Sequence, residues 1–413
     1  MIHEKTRELI TPPEPGSPPS RQIILLVVDG LSGLPHPETG KTEMEAARLP
    51  NLDRLASISS GGRMMPIDPG VTPGSGPAHL ALFGYHPYQV DFGRGALEAM
   101  GSDFDMLPGD LAARANFATL RRPISETSVV DDRRAGRPTD QENRRLCAKL
   151  SQGLGKSVEG CEVFILPGKE HRFTVVFRGT YLSAALNDND PQREGRPLLE
   201  ILPGTPEADH SAHIVNLFLD RGLEILADEL KANGMLLRGF SNLPEVMPFG
   251  ERYGLRAGAI AAYPMYRGVA RLVGMEVLGV PRNFDEELAL LESRFGDYDF
   301  FFVHYKPTDT AGHSGDFAQK VRALEAVDAA IPRIEALKPE VLVVTGDHST
   351  PCIHKEHSWH PVPTILRSPL AMSNAGARFS ERGLMASDLG VFPATHLMPL
   401  ALAHSGRFSK FGA

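Results

Sequence analysis

The sequence predicts an α/β protein whose core is a doubly wound, mostly parallel sheet. Three stretches are typical of buried strands because each centres on a continuous apolar run: Ile23–Val28, Asp297–Tyr305 and Glu340–His348. Helix-like patterns separate them, and strands that alternate with helices imply right-handed crossovers between parallel strands. In such sheets the functional groups gather beyond the carboxyl ends of the strands.

The first strand follows a proline-rich, polar stretch, so residues 1–20 are expected to form a flexible N-terminal arm. The strand ends at Asp29 and Gly30. An amphipathic helix pattern over residues 42–58 comes next and is interrupted at Pro50. This order of strand, turn and helix begins the predicted sheet.

Ser75 lies between two glycines in the segment GVTPGSGPAHLALFGY, where a proline-containing loop runs into a small apolar helix. One interpretation is helix capping, in which the hydroxyl accepts a backbone hydrogen bond and stabilises the helix by about 1 kcal/mol. The other is a nucleophile, because flanking glycines admit a substrate and a helix N-terminus favours negative charge. This segment alone leaves both interpretations open.

Side chains able to bind metals follow all three strand patterns: Asp29 after the first, Asp309 and His313 after the second, and Asp347, His348 and His357 after the third. Each one alone is typical of a turn or a structural histidine. Together, at one edge of a parallel sheet, three carboxylates and three imidazoles can hold two divalent ions. Such mixed donors suit manganese, zinc, cobalt or magnesium better than calcium. A metal beside Ser75 favours the nucleophile interpretation, because it lowers the pKa of a bound hydroxyl.

Composition excludes several other classes of function. The formal net charge of −8 argues against a broad nucleic-acid or anionic-membrane surface, and no apolar stretch reaches 18 residues. The N-terminus lacks a signal-peptide pattern. Three scattered cysteines form no CxxC pair, which favours a reducing cytoplasm over a disulfide framework.

The middle of the chain, residues 112–250, has shorter alternating segments and many arginines. This change predicts an inserted α+β cap between two core segments, 21–111 and 251–413. Arginine binds carboxylate and phosphate in bidentate fashion, although a solvated basic face is the alternative for any single arginine. The candidate substrate-binding residues of the cap are Arg114, Asn116, Asp132, Arg133, Arg134, Arg137, His171 and Arg172.

Eleven motifs run in order along nearly the whole chain after the arm: LLVVDGLSGLP, LPNLDRLA, PGSGPAHLALFGYHP, FGRGALEAMG, RANFATL, DDRRAGR, EHRFTVVFRG, YPMYRGVARLVGM, TDTAGHSGDF, TGDHSTP and HSWHPVP. On these motifs the chain resembles the cofactor-independent phosphoglycerate mutases, in the archaeal-type branch of the alkaline phosphatase superfamily. The resemblance implies an alkaline phosphatase-like core with an inserted cap.

The resemblance also implies a residue assignment. One metal is then held by Asp29, Ser75, Asp347 and His348, and the other by Asp309, His313 and His357. Manganese is the first expectation, with magnesium, cobalt or zinc as alternatives and no 2,3-bisphosphoglycerate. Arg267, in YPMYRGVAR, is expected to stabilise the phosphoryl group near Ser75, and Lys306 is an alternative charge partner.

The implied activity is interconversion of 3-phosphoglycerate and 2-phosphoglycerate in glycolysis and gluconeogenesis, through a phosphoserine at Ser75 in a cytoplasmic enzyme. Three other functions stay open: a metal-dependent phosphatase or phosphodiesterase, a homoserine kinase-like phosphotransferase, and a non-catalytic, metal-stabilised binding protein. A homo-oligomer is an open alternative to a monomer.

Overall fold

A computed structural model describes residues 4–14, 16–90, 93–123 and 128–412 of the chain. Its strands are β1 (Ile23–Val28), β2 (Ser60–Met65), β3 (Leu111–Leu120), β4 (Val130–Asp132), β5 (Ser157–Val158), β6 (Cys161–Pro167), β7 (Arg172–Arg178), β8 (Gly234–Asn242), β9 (Ala257–Ala261), β10 (Glu276–Val277), β11 (Phe300–Tyr305), β12 (Val341–Thr345), β13 (Val362–Arg367) and β14 (Gly390–Pro393).

The α-helices are α1 (Glu4–Arg7), α2 (Glu43–Ala46), α3 (Pro50–Ser57), α4 (Ser75–Leu82), α5 (Arg94–Gly101), α6 (Asp140–Leu154), α7 (Asp209–Leu226), α8 (Phe249–Tyr253), α9 (Pro264–Leu272), α10 (Phe284–Arg294), α11 (Pro307–Ser314), α12 (Phe317–Ala336) and α13 (Leu397–His404). Short 3₁₀ turns precede α7 and α13.

The chain divides into two compact units. The core unit comprises Met1–Val90 and Val246–Ala413, and the inserted unit comprises Asp91–Glu245. The second unit therefore begins about twenty residues before the boundary expected at 112, because α5 packs against β3, β7 and β8 of the inserted sheet. Within the described residues, no helix is both long enough and apolar enough to span a bilayer.

The core unit is built on an eight-stranded sheet in the order β10-β9-β11-β1-β12-β13-β2-β14. Every neighbouring pair is parallel except those that involve β13, which is antiparallel to both β12 and β2. The prediction of a mostly parallel α/β sheet is therefore confirmed. The antiparallel strand was not predicted, because sequence pattern alone does not show which way a strand runs.

Three central strands set the position of the site. β1 pairs in parallel with β11 on one side and β12 on the other, with Val28 opposite Tyr305 and Val27 opposite Thr345. All three strands are buried along their whole length, as the apolar runs predicted. Their carboxyl ends are therefore level, and the residues that follow them emerge side by side.

The start of the chain is tied to its end rather than forming a loose arm. Thr11 N donates to Arg407 O at 2.8 Å, and Ser409 N donates to Leu9 O at 2.8 Å. Further along the segment, Arg256 donates to Ser17 O at 2.9 Å. Residues 1–3 and 15 of the expected arm lie outside the described residues.

The inserted unit is an antiparallel sheet in the order β4-β3-β7-β6-β5, with β8 paired to the other side of β3. Helices α6 and α7 bury their apolar residues against one face of it, among them Leu150 and Phe218, together with Phe117 and Phe173 from the strands. Since side chains alternate along a strand, the residues between these apolar positions lie on the opposite face.

Candidate metal centre

Asp29 follows β1 directly and is completely buried. The turn after it requires glycine: Gly30 has a φ of +61°, and a Cβ there would lie 2.5 Å from Thr350 Oγ1 and 2.9 Å from the Asp309 Cα. The backbone N–H of Gly30 donates to Asp347 Oδ1 at 3.1 Å. The DG motif therefore brings together the three carboxylates that follow the three strands.

Asp309 and His313 lie one turn apart on α11, so both side chains point to the same face of that helix. His313 Nε2 is 3.5 Å from Asp309 Oδ1, and His357 Nε2 is 3.6 Å from the same oxygen. Gly312 lets α11 approach the loop after β12, because a Cβ there would lie 2.3 Å from Thr350 O. The close approach puts α11 beside His348.

Two groups of potential metal ligands result, and in each group the ligand atoms lie within 4.8 Å of one another. Donor group A is Asp29, Asp347 and His348. Donor group B is Asp309, His348 and His357, with His313 facing the same Asp309 oxygen. The structure thus brings together all six residues that the strand ends predicted, and it places His348 in both groups.

Ser75 is the first residue of α4, and its Oγ lies 3.2 Å from His348 Nε2. The N-cap residue is Gly74, and the helix has no side-chain cap hydrogen bond. The capping interpretation of Ser75 is therefore wrong. Its hydroxyl is directed instead to donor group A.

The tautomers of the three histidines support metal binding. His357 Nδ1 lies 2.9 Å from Pro73 O, and His313 Nδ1 lies 3.0 Å from Lys355 O. A carbonyl only accepts, so each Nδ1 carries the proton and each Nε2 presents a lone pair to donor group B. Histidines that bind metals are oriented in this way.

Thr350 orients the third histidine. Its hydroxyl donates to Asp309 Oδ1 at 2.7 Å and lies 3.1 Å from His348 Nδ1. Since the hydroxyl proton goes to the carboxylate, Nδ1 of His348 is the donor to Thr350, and its Nε2 presents a lone pair toward Ser75 Oγ and Asp347 Oδ2. One threonine thereby orients a ligand in each donor group.

The carboxylates fit a cation as well. Asp29 Oδ1 and Asp347 Oδ2 are buried, and among the described residues neither accepts a hydrogen bond of good geometry, although His348 Nε2 lies 3.1 Å from Asp347 Oδ2. A buried anionic oxygen without a donor is costly unless a cation neutralises it. Two such oxygens in donor group A therefore indicate that a divalent ion belongs there.

The pKa values of Asp29 and His348 are shifted by the charged groups around them. Burial alone would raise the pKa of Asp29, but Lys306 and His304 outweigh it and hold that pKa well below its usual value. Burial alone would lower the pKa of His348, but Asp347 and the other carboxylates raise it. The first shift reflects the cationic side chains beside Asp29, and the second reflects the carboxylates around His348.

Sequence reasoning missed several residues around Asp29. Tyr266 donates a hydrogen bond to Asp29 Oδ2 and also bonds to the Ser75 side chain. His304 Nε2 lies 3.1 Å from that same oxygen of Asp29. His79 Nδ1 lies 2.8 Å from Ser75 O. Tyr266 and His79 lie within two of the motifs and His304 lies in the second strand pattern, but none of these signals indicates a partner.

The two cations proposed for the phosphoryl group differ in their surroundings. Arg267 is only 2% exposed, and its Nη1 donates to Ala261 O and Ala262 O at the end of β9. Lys306 lies directly between Asp29 and Asp309, with its Nζ at 3.0 and 2.6 Å from their Oδ2 atoms. The role of Arg267 toward a phosphoryl group stays a prediction.

In the inserted unit, four basic residues form what we call the basic face. Arg114 on β3 is opposite Arg238 on β8, and Arg172 on β7 is opposite Asn116 on β3. The fourth residue is Arg94 of α5, whose charge, in addition to burial, lowers the pKa of Arg114, as do the charges of Arg172 and Arg238. The basic face is Arg94, Arg114, Arg172 and Arg238. Burial first, and then these like charges, lower the pKa of Arg114.

The remaining predicted cap residues adjoin the basic face. His171 is buried beside Arg172, and burial lowers its pKa to about 4, with the nearby arginines adding to the effect. Arg133 is already engaged, because its guanidinium binds Asp190 in bidentate fashion at 3.0 and 2.6 Å. Asp132 accepts backbone N–H groups of its own turn. A surface cavity of about 630 Å³ is lined here by Asp132, Arg133, Arg134, Gly136, Arg137, Gln192, Arg193 and Glu194.

The α/β core and its donor groups define the class of the protein: an enzyme that uses divalent metal ions at the carboxyl edge of a mostly parallel sheet. Residues 56–231 match the family model described as 2,3-bisphosphoglycerate-independent phosphoglycerate mutase. Over 395 residues the chain is 48% identical to a Thermus thermophilus protein named "Probable 2,3-bisphosphoglycerate-independent phosphoglycerate mutase", with 95% of this chain and 96% of the relative covered.

A relative of the same name from Aquifex aeolicus is 46% identical over 397 residues, which cover 95% of this chain and 97% of the relative. Among solved structures, the cofactor-independent phosphoglycerate mutase from Thermoplasma acidophilum matches with a TM-score of 0.76 and 29% identity, covering 94% of this chain and all of that one. The chain belongs to the 2,3-bisphosphoglycerate-independent phosphoglycerate mutase family. The resemblance found in the sequence motifs is confirmed.

Proposed function

We propose that this protein interconverts 3-phosphoglycerate and 2-phosphoglycerate by passing the phosphoryl group through Ser75. One observation carries the proposal: the Ser75 hydroxyl lies 3.2 Å from Nε2 of His348, the histidine that both donor groups share. A serine in that position contacts the histidine that belongs to both groups of predicted metal ligands. Family membership indicates the substrate class, and the position of Ser75 supports transfer of the phosphoryl group through a phosphoserine.

Two divalent cations fit the donor groups, one held by Asp29, Ser75, Asp347 and His348 and the other by Asp309, His313 and His357. Such cations supply Lewis-acid activation of a hydroxyl and neutralise charge on a transferring phosphoryl group. Manganese is our first assignment, as the family resemblance implies, and the mixed carboxylate and imidazole donors accept several divalent metals. Magnesium, cobalt and zinc are the alternatives.

The reaction has two balanced halves. In the first, Ser75 Oγ forms a bond to phosphorus while the bond from phosphorus to the C3 oxygen of the substrate breaks, and the proton lost from Ser75 is returned to that oxygen. In the second, the 2-hydroxyl of the retained glycerate attacks the phosphoserine, and Ser75 regains a proton. Because donor and acceptor are one glycerate, no bisphosphate is consumed.

The chain's own residues position these steps. Ser75 is at the N-terminus of α4, where the free backbone N–H groups favour the negative charge of a phosphoryl group. The basic face of the inserted unit supplies guanidinium groups for the substrate's carboxylate and phosphate. Arg267 remains our proposed partner of the phosphoryl group. The three buried cysteines, which form no disulfide, support a cytoplasmic location.

A coupled assay tests the proposal. Purified protein with 3-phosphoglycerate, Mn²⁺ and enolase, and without 2,3-bisphosphoglycerate, should form product continuously while releasing little inorganic phosphate. Chelation should abolish turnover, and Ser75→Ala should lower kcat by about 10⁴-fold or more, since it removes the group that forms the covalent bond. Ser57→Ala, on an exposed helix end, is the matched control and should keep full activity.

Other results point to other functions. Release of inorganic phosphate as the main product would identify a phosphatase, and a requirement for ATP would identify a phosphotransferase of the kinase type. A requirement for 2,3-bisphosphoglycerate, or substantial mutase activity in Ser75→Ala, would overturn the phosphoserine route.

A further inference from the structure

We propose that Lys306 is a positioning residue that couples the two donor groups: its ammonium orients one carboxylate of each group, so that both are set for divalent cations together. The inference deepens the proposed function and rests on its two cations. It assigns to Lys306 a structural task toward both cations rather than contact with substrate.

The three donor positions of the ammonium are all engaged. Lys306 Nζ lies 2.6 Å from Asp309 Oδ2, 3.0 Å from Asp29 Oδ2 and 2.9 Å from the Tyr266 hydroxyl. It also lies 5.8 and 5.3 Å from the ring centroids of Tyr263 and Tyr266, within the range of cation–π attraction. A lysine with this many partners has a fixed position.

The contacts divide each carboxylate into an inner and an outer oxygen. Lys306 binds the Oδ2 atom of both, and in Asp29 this leaves Oδ1 buried with no hydrogen bond among the described residues. In Asp309 it leaves Oδ1 facing Nε2 of His313 and of His357. Lys306 therefore holds both outer oxygens, that of Asp29 together with Tyr266 and His304, and the inner oxygens face the Nε2 atoms of histidine ligands.

Asp29 belongs to donor group A and Asp309 to donor group B, so Lys306 is the side chain that binds a carboxylate of each. The local backbone favours this link, since Lys306 immediately precedes the first residue of α11 and Asp309 lies within its first turn. If one carboxylate rotated away, the ammonium would lose a partner and would hold the other carboxylate less firmly. Tyr266 and His304 also bind Asp29, and Thr350 also binds Asp309, but Lys306 binds both carboxylates. Lys306 thereby couples the orientation of these two carboxylates.

Charge alone and positioning predict opposite effects on metal affinity when Lys306 is removed. A positive ammonium repels divalent cations, so its removal should strengthen metal binding if charge alone mattered. If Lys306 acts by positioning, its removal should weaken binding, because groups that orient metal ligands contribute about 10- to 100-fold to affinity. The direction of the change separates the two explanations.

The test is titration of the metal-free full chain with Mn²⁺, in which free Mn²⁺ is followed by its electron paramagnetic resonance signal. The wild-type protein should bind two ions. Lys306→Met and Lys306→Arg should each bind Mn²⁺ about tenfold or more weakly at both sites. Arg keeps the charge but replaces a compact ammonium with a planar fork, so it serves as the second variant if Lys306→Met does not fold.

Lys410→Met, which removes the same charge at an exposed position of the core unit, should bind Mn²⁺ as the wild type does. Binding by Lys306→Met that equals or exceeds wild-type affinity would overturn the inference, and so would wild-type affinity in Lys306→Arg. Failure of the wild-type protein itself to bind two ions is a separate result. It would overturn the proposed function, which needs two cations, and with it the coupling through Lys306.

Discussion

The donor groups of the core unit and the basic face of the inserted unit carry opposite charges. They also differ in which hydrogen-bonding atoms are left unpaired. In the core, Asp29 Oδ1 and Asp347 Oδ2 are buried anionic oxygens that accept no hydrogen bond of good geometry within the described part of the chain, with His348 Nε2 3.1 Å from the second. In the inserted unit, Nε of Arg114 and Nε of Arg238 are buried donors without a hydrogen-bond acceptor among the described residues. The first region therefore carries surplus acceptors and the second surplus donors, although Glu98 lies 3.5 Å from Arg114 and Asp190 lies 3.8 Å from Arg238.

The two regions differ in how tightly their groups are held. Around the donor groups, each histidine ligand has its Nδ1 engaged by a carbonyl or a hydroxyl. On the basic face the cations are close together and restrained by few partners, such as Glu98 at 3.5 Å from Arg114. Metal coordination depends on exact distances, whereas anion binding by several arginines depends on summed charge. Single substitutions should therefore cause large losses of activity or metal binding in the donor groups. On the basic face, single substitutions should cause smaller losses of substrate binding.

Among the substitutions that compare the two regions, the largest effect is expected for His357→Ala in the core. It removes a ligand of donor group B, and since a metal ion contributes several kcal/mol to transition-state stabilisation, kcat/KM should fall by about 10³-fold. Bound Mn²⁺, measured by metal analysis, should fall with it. His360→Ala is the matched control three residues later, and it should change activity less than about twofold. Equal losses in both variants would contradict the ligand assignment.

A smaller effect is expected for Arg238→Ala on the basic face. Loss of a charge-assisted hydrogen bond costs about 1.5–3 kcal/mol, so KM for 3-phosphoglycerate should rise about 10- to 100-fold while bound Mn²⁺ stays unchanged. Arg221→Ala, an exposed arginine on α7, should leave KM within about twofold. An unchanged KM in Arg238→Ala would remove this residue from the substrate-binding set.

The smallest effect is expected for Thr350→Val, which keeps the shape of the side chain and removes its hydroxyl. Asp309 loses a donor at 2.7 Å and His348 loses an acceptor at 3.1 Å, so Mn²⁺ affinity should fall about tenfold. Thr310→Val, on the exposed side of α11, controls for the substitution. If calorimetric titration shows equal Mn²⁺ affinity in both variants, Thr350 does not orient the ligands.

Much of the core could be predicted because its signals are local. β1 has the bounds given by its six apolar residues, and α3 begins at the proline that interrupts the helix pattern. The six metal-binding candidates come together because parallel strands end at one edge. The inserted unit was harder to delimit: α5 is short, and only its packing against β3 and β8 shows where it belongs.

Other parts of the site have no signal in the sequence. Tyr266 was seen only as part of a motif, yet its hydroxyl bonds to both Asp29 and Ser75. Arg238 was not singled out, because nothing in its segment shows that β8 pairs with β3 opposite Arg114. These contacts join residues far apart in the chain, and periodicity carries no information about them.

The sequence by itself determined the fold class, the family and the residue types available at the strand ends, since apolar runs, glycine turns and motif order are properties of short segments. Only the tertiary structure decided that Ser75 faces His348 instead of capping its helix, that His348 belongs to both donor groups, and that Lys306 binds Asp29 and Asp309 at once. The physical reason is that hydrogen bonds and coordination depend on distances between side chains, which packing sets and spacing along the chain does not.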